Sequence, residues 1–341
     1  MKEAGTTRSM SRKPDWLREL APFGKPDSRK ALTQLLNTLG PYALLWGLMI
    51  TMLHFQLSYL IVLPLALLAG AFLVRIFILF HDCCHGSFLG SAKTNKWVGI
   101  VTGLLAFTPY EEWRYTHNQH HKSAGDLDRR GMGDVWTLTV EEYQSRSWFG
   151  RFLYRLYRHP VVMFGLGPIF VFLIKFRIPR SGAKRAERIS VWRTNLLIAL
   201  ILLLADLTIG LKTYFMIQLP VILVAGSLGI WLFYVQHQFE GVYWARHENW
   251  DVVRAALDGS SYYRLPRILQ WISGNIGFHH IHHMRATIPN YHLEACHRAI
   301  RAFRDVHPLT FWKSLRTPWL QLWDEQQRRL VSFRSLRMRS A

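Results

Sequence analysis

The sequence predicts an all-α integral membrane protein with two transmembrane helical hairpins, four spans in total, and a helical cap on the cytoplasmic side. Three observations support this fold class: half of the 341 residues are hydrophobic, the formal net charge is +20, and apolar and basic residues lie in separate stretches. About 20 apolar residues in a helix cross a bilayer, and membrane proteins keep Lys and Arg in cytoplasmic segments. We therefore expect apolar hairpins with basic cytoplasmic ends.

The first apolar stretch, residues 41–80, contains a single charged side chain, Arg75. It is long enough for two spans, which we predict at about 41–58 and 60–80, with a tight turn near Ser58. Arg75 lies about one turn from the predicted cytoplasmic end of the second span. We expect its long side chain to reach the membrane interface.

The second apolar stretch, residues 194–236, has the same pattern, with a break near Asp206, Gly210 and Lys212. It predicts a second hairpin. Two hydrophobic hairpins exclude a soluble basic protein that binds nucleic acid, although the net charge alone would be typical of one.

The basic residues orient both hairpins. Residues 1–40 hold eight Lys or Arg, among them Arg12 and Lys13, and the run Lys175–Arg193 holds seven more. The two predicted outer turns carry only Lys212. By the positive-inside rule, both termini and the middle of the chain are expected in the cytoplasm.

Two shorter apolar stretches, residues 97–109 and 161–174, are interrupted by Gly or Pro. Each is too short for a full span, so we expect interfacial or re-entrant segments. If either crossed the membrane alone, the histidine clusters described next would lie on opposite sides.

Nine of the sixteen histidines fall into three clusters, HDCCH at 81–85, HNQHH at 117–121 and HHIHH at 279–283, and His237 follows the last predicted span. Helical residues three and four apart share a face, so we expect each cluster to present its imidazoles in one direction. Imidazole binds iron, zinc, copper and nickel. Eight or nine imidazoles exceed the four ligands of one tetrahedral zinc, so two metal ions are the natural count.

The three cysteines, Cys83, Cys84 and Cys296, are an odd number on the predicted reducing side. We expect no structural disulfide. Cys83 and Cys84 are not at zinc-knuckle spacing, and we expect them to fill space beside the histidines.

The clusters resemble the three histidine boxes, HxxxH, HxxHH and HxxHH, of the membrane fatty acid desaturases. The resemblance extends to the surrounding stretches HDCCHGSF, HNQHHKSAGDLDRRGMGDVWTLTVEEY, WLFYVQHQFEGVYW and ISGNIGFHHIHHMRATIPNYHLEACH. These look like the acyl-lipid branch, which includes delta-12, omega-3 and bacterial delta-5 enzymes. The matching stretches run from about residue 40 to 300.

This resemblance implies a di-iron enzyme that uses dioxygen and two electrons to introduce a cis double bond into a fatty acyl chain. Carried over by position, the metal ligands are His81, His85, His117, His120, His121, His237, His279, His282 and His283. His280 fills a variable position of the third box and is left out. Phe233 stands where acyl-CoA relatives have an Asn that contacts a metal through water. Asp82 and Glu240, each close to a ligand, are candidates to orient imidazoles.

The chain is expected to form a single membrane domain over residues 1–341. Its predicted parts are a basic cytoplasmic N-terminus (1–40), the first hairpin (41–80), a cytoplasmic region with boxes one and two (81–193), the second hairpin (194–236) and a cytoplasmic region with box three (237–341). The expected location is a bacterial inner membrane, with the di-metal site in the cytoplasmic cap.

The expected partners are a fatty acyl lipid and a separate electron donor, a ferredoxin or a cytochrome b5-like protein with its reductase. The sequence has no His-Pro-Gly-Gly motif of a fused haem domain. Basic residues that would attract an acidic donor are Arg129, Arg130, the run Lys175–Arg193, Arg328, Arg329, Arg334, Arg337 and Arg339. Attraction to anionic lipid is an equal alternative for the last five.

Other functions stay open at this point. A hydroxylase or ketolase of the same superfamily, acting on lipid, carotenoid or alkane, would share the boxes. A metal transporter would place polar ligands near the middle of its spans, whereas these clusters lie at or beyond the cytoplasmic ends. The sequence leaves undecided the bond position, the acyl carrier, which is lipid, CoA or carrier protein, and the oligomeric state.

Overall fold

The computed structural model describes residues 14–337, most of which lie in helices. The helices are α1 (Ser28–His54), α2 (Tyr59–His85), α3 (Ala92–Leu105), α4 (Tyr110–Ser123), α5 (Val140–Gln144), α6 (Trp148–Tyr157), α7 (Arg185–Thr208), α8 (Leu211–His237), α9 (Val252–Leu257), α10 (Arg267–Ile272), α11 (His279–Met284), α12 (Asn290–Ala299), α13 (Arg301–Arg304), α14 (Phe311–Ser314) and α15 (Phe333–Arg337). The strands are β1 (Leu138–Thr139), β2 (Tyr262–Arg264), β3 (Pro308–Thr310), β4 (Leu322–Asp324) and β5 (Arg329–Val331).

Four helices in the described part of the chain are long and apolar enough to cross a bilayer: α1, α2, α7 and α8. The shortest, α7, has 24 residues. At 1.5 Å per residue it is about 36 Å long, more than the hydrocarbon core of about 30 Å. The helices form two hairpins with turns at residues 55–58 and 209–210. The predicted all-α membrane fold with four spans is confirmed.

The first helix is longer than its predicted apolar span. It begins at Ser28 because the Asp27 carboxylate accepts hydrogen bonds from the backbone N–H groups of Arg29 (2.9 Å) and Lys30 (3.1 Å). This is an N-cap, which satisfies donors that have no partner inside the helix. Part of the stretch predicted as a basic N-terminus is therefore the first turns of α1.

Arg75 does not reach the surface, contrary to the sequence-based expectation. Its side chain is buried, Nε donates to Thr38 Oγ1 (2.9 Å), and Nη1 donates to the carbonyl oxygen of Trp271. The guanidinium also lies 4.0 Å from the centre of the Trp271 ring, a cation–π contact. Arg75 thus joins α1, α2 and α10.

The contact between Arg75 and Trp271 also fixes the position along α2 at which α10 packs. Ten residues separate Arg75 from His85, which corresponds to about 15 Å of helix. Nearly every residue of α2 from Leu73 to Cys84 is buried. The last third of α2 is therefore enclosed by the cap, and the helix carries its two histidines well beyond the level where α10 packs.

Two small sheets connect distant parts of the cap. In the first, β1 pairs parallel with β4 (Leu138 opposite Leu322), and β4 pairs antiparallel with β5. In the second, β2 pairs parallel with β3. The loop after α4 is thereby joined to the C-terminal part of the chain.

Arg158 is a second buried cation that holds the cap together. It is 1% exposed, and its guanidinium donates to Thr137 Oγ1 (2.9 Å), Tyr234 OH (3.0 Å), Gln238 Oε1 (3.2 Å) and the carbonyl oxygen of Leu320 (2.9 Å). These groups belong to the loop before β1, the end of α8 and the segment before β4. The end of α8, and with it His237, is fixed against two other parts of the cap.

The segment predicted as interfacial or re-entrant at 161–174 forms two π-helical turns, Val162–Leu166 and Ile169–Ile174. Together with α6 it is bent by 59°, as in a broken span or a re-entrant loop. If this bent pair is counted as one span, the described residues hold up to five. The other short apolar stretch forms α3, which packs against α2.

Candidate metal centre

His81 and His85 lie in the last turns of α2. They are four residues apart, and their ring centres are 4.8 Å apart. Gly86 ends the helix directly after them with φ +69°, a left-handed conformation that favours glycine. Cys83 and Cys84 are buried, carry free thiols and pack into an apolar cluster between α2, α3 and α4.

His117, His120 and His121 lie on α4. Trp113, one turn earlier, stacks on the His117 ring with the centres 4.3 Å apart and an angle of 22°. The Nε2 atoms of His117 and His121 are 3.0 Å apart. His120 turns away from this pair, and its Nε2 lies 3.0 Å from Nε2 of His237.

His279, His282 and His283 lie on α11, and His237 is the last residue of α8. The Nε2 atoms of His237 and His279 are 3.0 Å apart, while Nε2 of His282 lies 2.9 Å from that of His121. The nine histidines singled out in the sequence thus meet at one place in the cap.

They form two groups, and within each group the ligand atoms lie within 4.8 Å of one another. The first group is His81, His85, His117, His121 and His282, and the second is His120, His237, His279 and His283. Neither group includes a Cys, Asp or Glu from residues 14–337. The groups adjoin, since the rings of His121 and His283 stack with centres 4.2 Å apart.

The expectation that each cluster presents its imidazoles in one direction is wrong for boxes two and three. Successive helical residues are about 100° apart, so positions i and i+4 overlie more closely than i and i+3 do. In box two the i, i+4 pair joins the first group and His120 joins the second. In box three the i, i+4 pair joins the second group and His282 joins the first. Each HxxHH box therefore contributes to both groups.

The histidine side chains of the two groups do not satisfy one another's hydrogen-bonding needs, and their ring nitrogens suit metal ions. The Nε2 atoms of His81, His85 and His283 are buried without a hydrogen-bond partner among the described residues. Buried polar atoms normally have partners, so several imidazole nitrogens that converge without one fit the binding of a cation. Imidazole donors are typical of iron, zinc, copper and nickel sites.

Burial also prepares these side chains for metal binding. It lowers the pKa of His117, His121, His279, His282 and His283, and neighbouring imidazoles lower it further. The neutral imidazole is the form with a free lone pair for a metal.

Comparison with known proteins identifies the family. The family model described as fatty acid desaturase matches residues 57–315. A "Fatty acid desaturase" from Bacillus subtilis (strain 168) is 45% identical over 320 residues, covering 94% of this chain and 90% of that protein. This chain belongs to the fatty acid desaturase family. The predicted resemblance is confirmed, as is the prediction of a desaturase-family enzyme.

More distant relatives of this desaturase are acyl-lipid enzymes from Synechocystis. An "sn-1 acyl-lipid omega-3 desaturase (ferredoxin)" is 27% identical over 245 residues, covering 69% of this chain and 66% of that protein. An "sn-1 oleoyl-lipid 12-desaturase" is 26% identical over 253 residues, covering 68% of this chain and 66% of that protein.

Asp82 lies where an orienting carboxylate is expected. Its Oδ1 is 3.1 Å from His81 Nδ1, and its Oδ2 accepts hydrogen bonds from the backbone N–H (2.7 Å) and side-chain amide (2.9 Å) of Asn290. Such an acceptor fixes the ring and leaves Nε2 free for a metal. Asn290 also ties box one to α12, just beyond box three.

Glu240 does not orient a histidine in this desaturase. Its side chain is exposed, because the chain turns away from the site after α8. His237 Nδ1 instead lies 3.3 Å from the carbonyl oxygen of Gly259. The carboxylate that serves the second group is Asp134, whose Oδ1 bonds His120 Nδ1.

Sequence reasoning missed Asp134. It lies fourteen residues after His120, in a glycine-containing loop whose path no periodicity predicts. The only sequence signal was an acidic residue in the extended match after box two. The backbone N–H of Gly131 donates to its Oδ2 (3.2 Å) and holds the carboxylate in place.

His280 and Phe233, both named in the sequence analysis, lie near the two groups. His280 is buried but belongs to neither group, and its ring packs 5.5 Å from Tyr262 and 5.5 Å from Phe303. The Phe233 ring lies 5.1 Å from His120 and 5.5 Å from His237. It presents an apolar surface to the second group.

We predict that Asp134→Asn weakens metal binding by the second group. The change removes the negative acceptor at His120 Nδ1, and loss of such a partner typically costs 10- to 100-fold in metal affinity. When the bound metal is titrated with increasing chelator, Asp134→Asn should lose one of its two metals at a lower chelator concentration than the unaltered chain does. Asp134→Glu should restore part of the affinity.

The matched control is Asp128→Asn in the same loop. The Asp128 carboxylate bonds Arg246 (2.7 Å) and the backbone N–H of His247, but no histidine ring of either group. This variant should keep both metals. Equal metal retention by Asp134→Asn and the unaltered chain would contradict an orienting role.

Proposed function

We propose that this chain is an oxygen-dependent fatty acyl desaturase that introduces a cis double bond by means of a histidine-ligated di-iron centre. The observation that carries the proposal is the convergence of nine imidazoles, six of them buried and three partly buried, into two groups in a member of the fatty acid desaturase family. All-imidazole donors suit a redox metal. The two groups of histidines match the two irons of the proposed centre.

Five histidines would hold one iron, and four would hold the other, as grouped above. Bound there, the pair of irons would activate dioxygen with two external electrons and take two hydrogens from the acyl chain. The chain's own residues orient three of the imidazoles. His81 is held by Asp82, His120 by Asp134, and His237 by the carbonyl oxygen of Gly259.

The position of the groups suggests how the acyl chain is presented. Helices α2 and α8 share an apolar core, with Ala66, Leu73 and Val221 among its buried residues, and both helices end at the histidines. An acyl chain lying along these helices would bring particular methylenes to the metals. Because methylenes of a saturated chain are chemically alike, the bond position would follow from distance along the helices.

The proposed substrate is an acyl chain of a membrane lipid. The two Synechocystis relatives named above are acyl-lipid desaturases by name, and four spans place this chain in the same bilayer as such lipids.

We predict that expression of the chain produces a fatty acid with one additional double bond, measured by gas chromatography of methyl esters. Formation should require dioxygen, and purified enzyme should hold about two irons. His81→Ala, His120→Ala and His283→Ala should each abolish the product and lower the iron content, because each removes a ligand.

His280→Ala is the matched control, because this histidine is in box three but outside both groups. It should retain product and iron. A hydroxylated product would instead assign the chain to the oxygenase alternative. Stoichiometric zinc, with no activity after iron reconstitution, would overturn the di-iron proposal.

We further propose that the histidine groups face the cytoplasm of a bacterial inner membrane. Supporting charges within the described residues are Arg29 and Lys30 at the start of α1, and Lys184 and Arg185 at the start of α7. These helix ends lie on the side of the histidines. Arg12 and Lys13, which contributed to the sequence-based expectation, lie outside the described residues.

In intact cells, an impermeant thiol reagent should label Lys212→Cys, in the outer turn region, but not Arg185→Cys. Both side chains are exposed. The three native cysteines are buried, so the background should be low. Labelling of Arg185→Cys from outside, with Lys212→Cys protected, would reverse the proposed orientation.

We propose that an acidic ferredoxin or a cytochrome b5-like protein, supplied by a reductase, delivers the electrons to the basic cap. One Synechocystis relative is named as a ferredoxin-dependent enzyme. Both arginines have partners, since Arg129 contacts His247 and Asp126 while Arg130 bonds Glu142 and the carbonyl oxygen of Thr137. The Arg129 side chain is 60% exposed, however, and that of Arg130 only 21%. Arg129 is therefore the better candidate for donor contact.

Donor-dependent turnover in neutral detergent should fall as ionic strength rises, because surface charges are screened over about 8–10 Å at physiological salt. Arg129→Glu should lower it further at low salt. Arg334→Glu tests the C-terminal cluster, which includes Arg339 outside the described residues. If neither salt nor Arg129→Glu changes the turnover, the basic surface interacts with the membrane and not with the electron donor.

A further inference from the structure

A large cleft opens on the cap beside the second histidine group. Its volume is about 1360 Å³, and its walls come mainly from residues 239–262 and 302–328. Leu127 and Trp244 form part of its lining. The Trp244 ring stacks on that of Trp323, with centres 5.5 Å apart and an angle of 27°, which gives this wall a fixed position.

A much smaller pocket lies behind that wall. Its volume is about 30 Å³, and it shares Leu127 and Trp244 with the large cleft. Its other side is formed by His120 and His237, two members of the second group, and by Phe233. No member of the first group lines it. The pocket therefore lies between the wall that it shares with the cleft and the second group, and it adjoins no member of the first group.

The polar side chains of the pocket are already engaged. The pairs are Asp134 with His120, Arg130 with Glu142, Gln238 with Arg158, Asp126 with His247, and His237 with the carbonyl oxygen of Gly259. A buried water needs two to four polar partners. The remaining walls are apolar, with Leu127, Val135, Phe233 and Trp244 among them. The lining favours a small apolar molecule over water, and the volume excludes an acyl chain.

We propose that this pocket is the passage by which dioxygen reaches the second histidine group from the open cleft. The proposal rests on the oxygen-dependent function proposed above. It assigns separate routes to the two substrates: the gas enters through the cap, and the acyl chain must use another path. It also makes the two histidine groups unequal, because the four-histidine group is the one that faces the passage.

The test enlarges Val135, a residue of the pocket wall whose side chain makes no hydrogen bond to a histidine. Val135→Phe fills the pocket and should raise KM for dioxygen roughly tenfold, the effect of a barrier increase of about 1.4 kcal/mol. The iron content, the KM for the lipid and kcat at saturating dioxygen should be unchanged. Val135→Leu should have a smaller effect in the same direction, and it keeps the test valid if the larger side chain impairs folding.

Val140→Phe is the matched control. It makes the same exchange five residues later, at a valine of similar burial that begins α5, but Val140 does not line the pocket. Its KM for dioxygen should equal that of the unaltered enzyme.

A second measurement needs no turnover. Xenon binds apolar cavities, so crystals of the full chain under xenon pressure should show an atom in this pocket, and Val135→Phe should exclude it. An empty pocket under xenon, or an unchanged KM for dioxygen in both Val135 variants, would overturn the passage. Xenon binding in a chain that forms no unsaturated product would overturn the proposed function and not the apolar site.

Discussion

Bringing nine imidazoles, six of them buried and three partly buried, to two points is unfavourable by itself, because ring nitrogens removed from water lose hydrogen bonds that apolar packing does not replace. The chain reduces this difficulty in two ways. It keeps the rings neutral by burial, as the lowered pKa values of His117 and His279 indicate. It also fixes selected rings through their second nitrogen, with Asp82, Asp134 and the carbonyl oxygen of Gly259 as partners. The Nε2 atoms of His81, His85 and His283 are left without a hydrogen-bond partner among the described residues, which leaves them free to bind a metal.

The helices and the cap are built around that convergence. Four elements must meet, namely the ends of α2 and α8 and the short helices α4 and α11. Arg75 fixes α2 against α1 and α10, about 9 Å before His81 and about 15 Å before His85. Arg158 fixes the end of α8 against the loop before β1 and the segment before β4. Two buried cations thus secure the two membrane helices that carry histidines into the cap.

Much of this arrangement could be predicted from sequence, and the failures have a common cause. Apolar length and charge distribution predicted four spans. The three boxes identified eight of the nine histidines that meet in the cap, and the family resemblance identified the ninth, His237. Sequence spacing does not show which loop carboxylate contacts a histidine ring. Proximity in the chain favours Glu240, three residues after His237, whereas the fold brings Asp134 to His120. For the same reason Arg75 was expected at the interface, because its partners Thr38 and Trp271 are distant in sequence. Local periodicity predicts elements, whereas contacts between elements depend on the tertiary fold.

The division of the histidines explains why the three boxes differ in form. Box one, HxxxH, supplies one i, i+4 pair and serves only the first group, and His237 serves only the second. Boxes two and three add a third histidine at i+3, about 100° around the helix from i+4, and each thereby reaches both groups. The relation between the groups is therefore set by α4 and α11, while α2 and α8 set how far each group stands from the membrane. Those two helices approach closely at Gly70, where an added Cβ would lie 2.7 Å from the Val224 side chain. A change in their relative position would move box one against His237 and pull the two groups apart along the helix axes. The close contact within the bilayer therefore helps to determine the geometry of the centre in the cap.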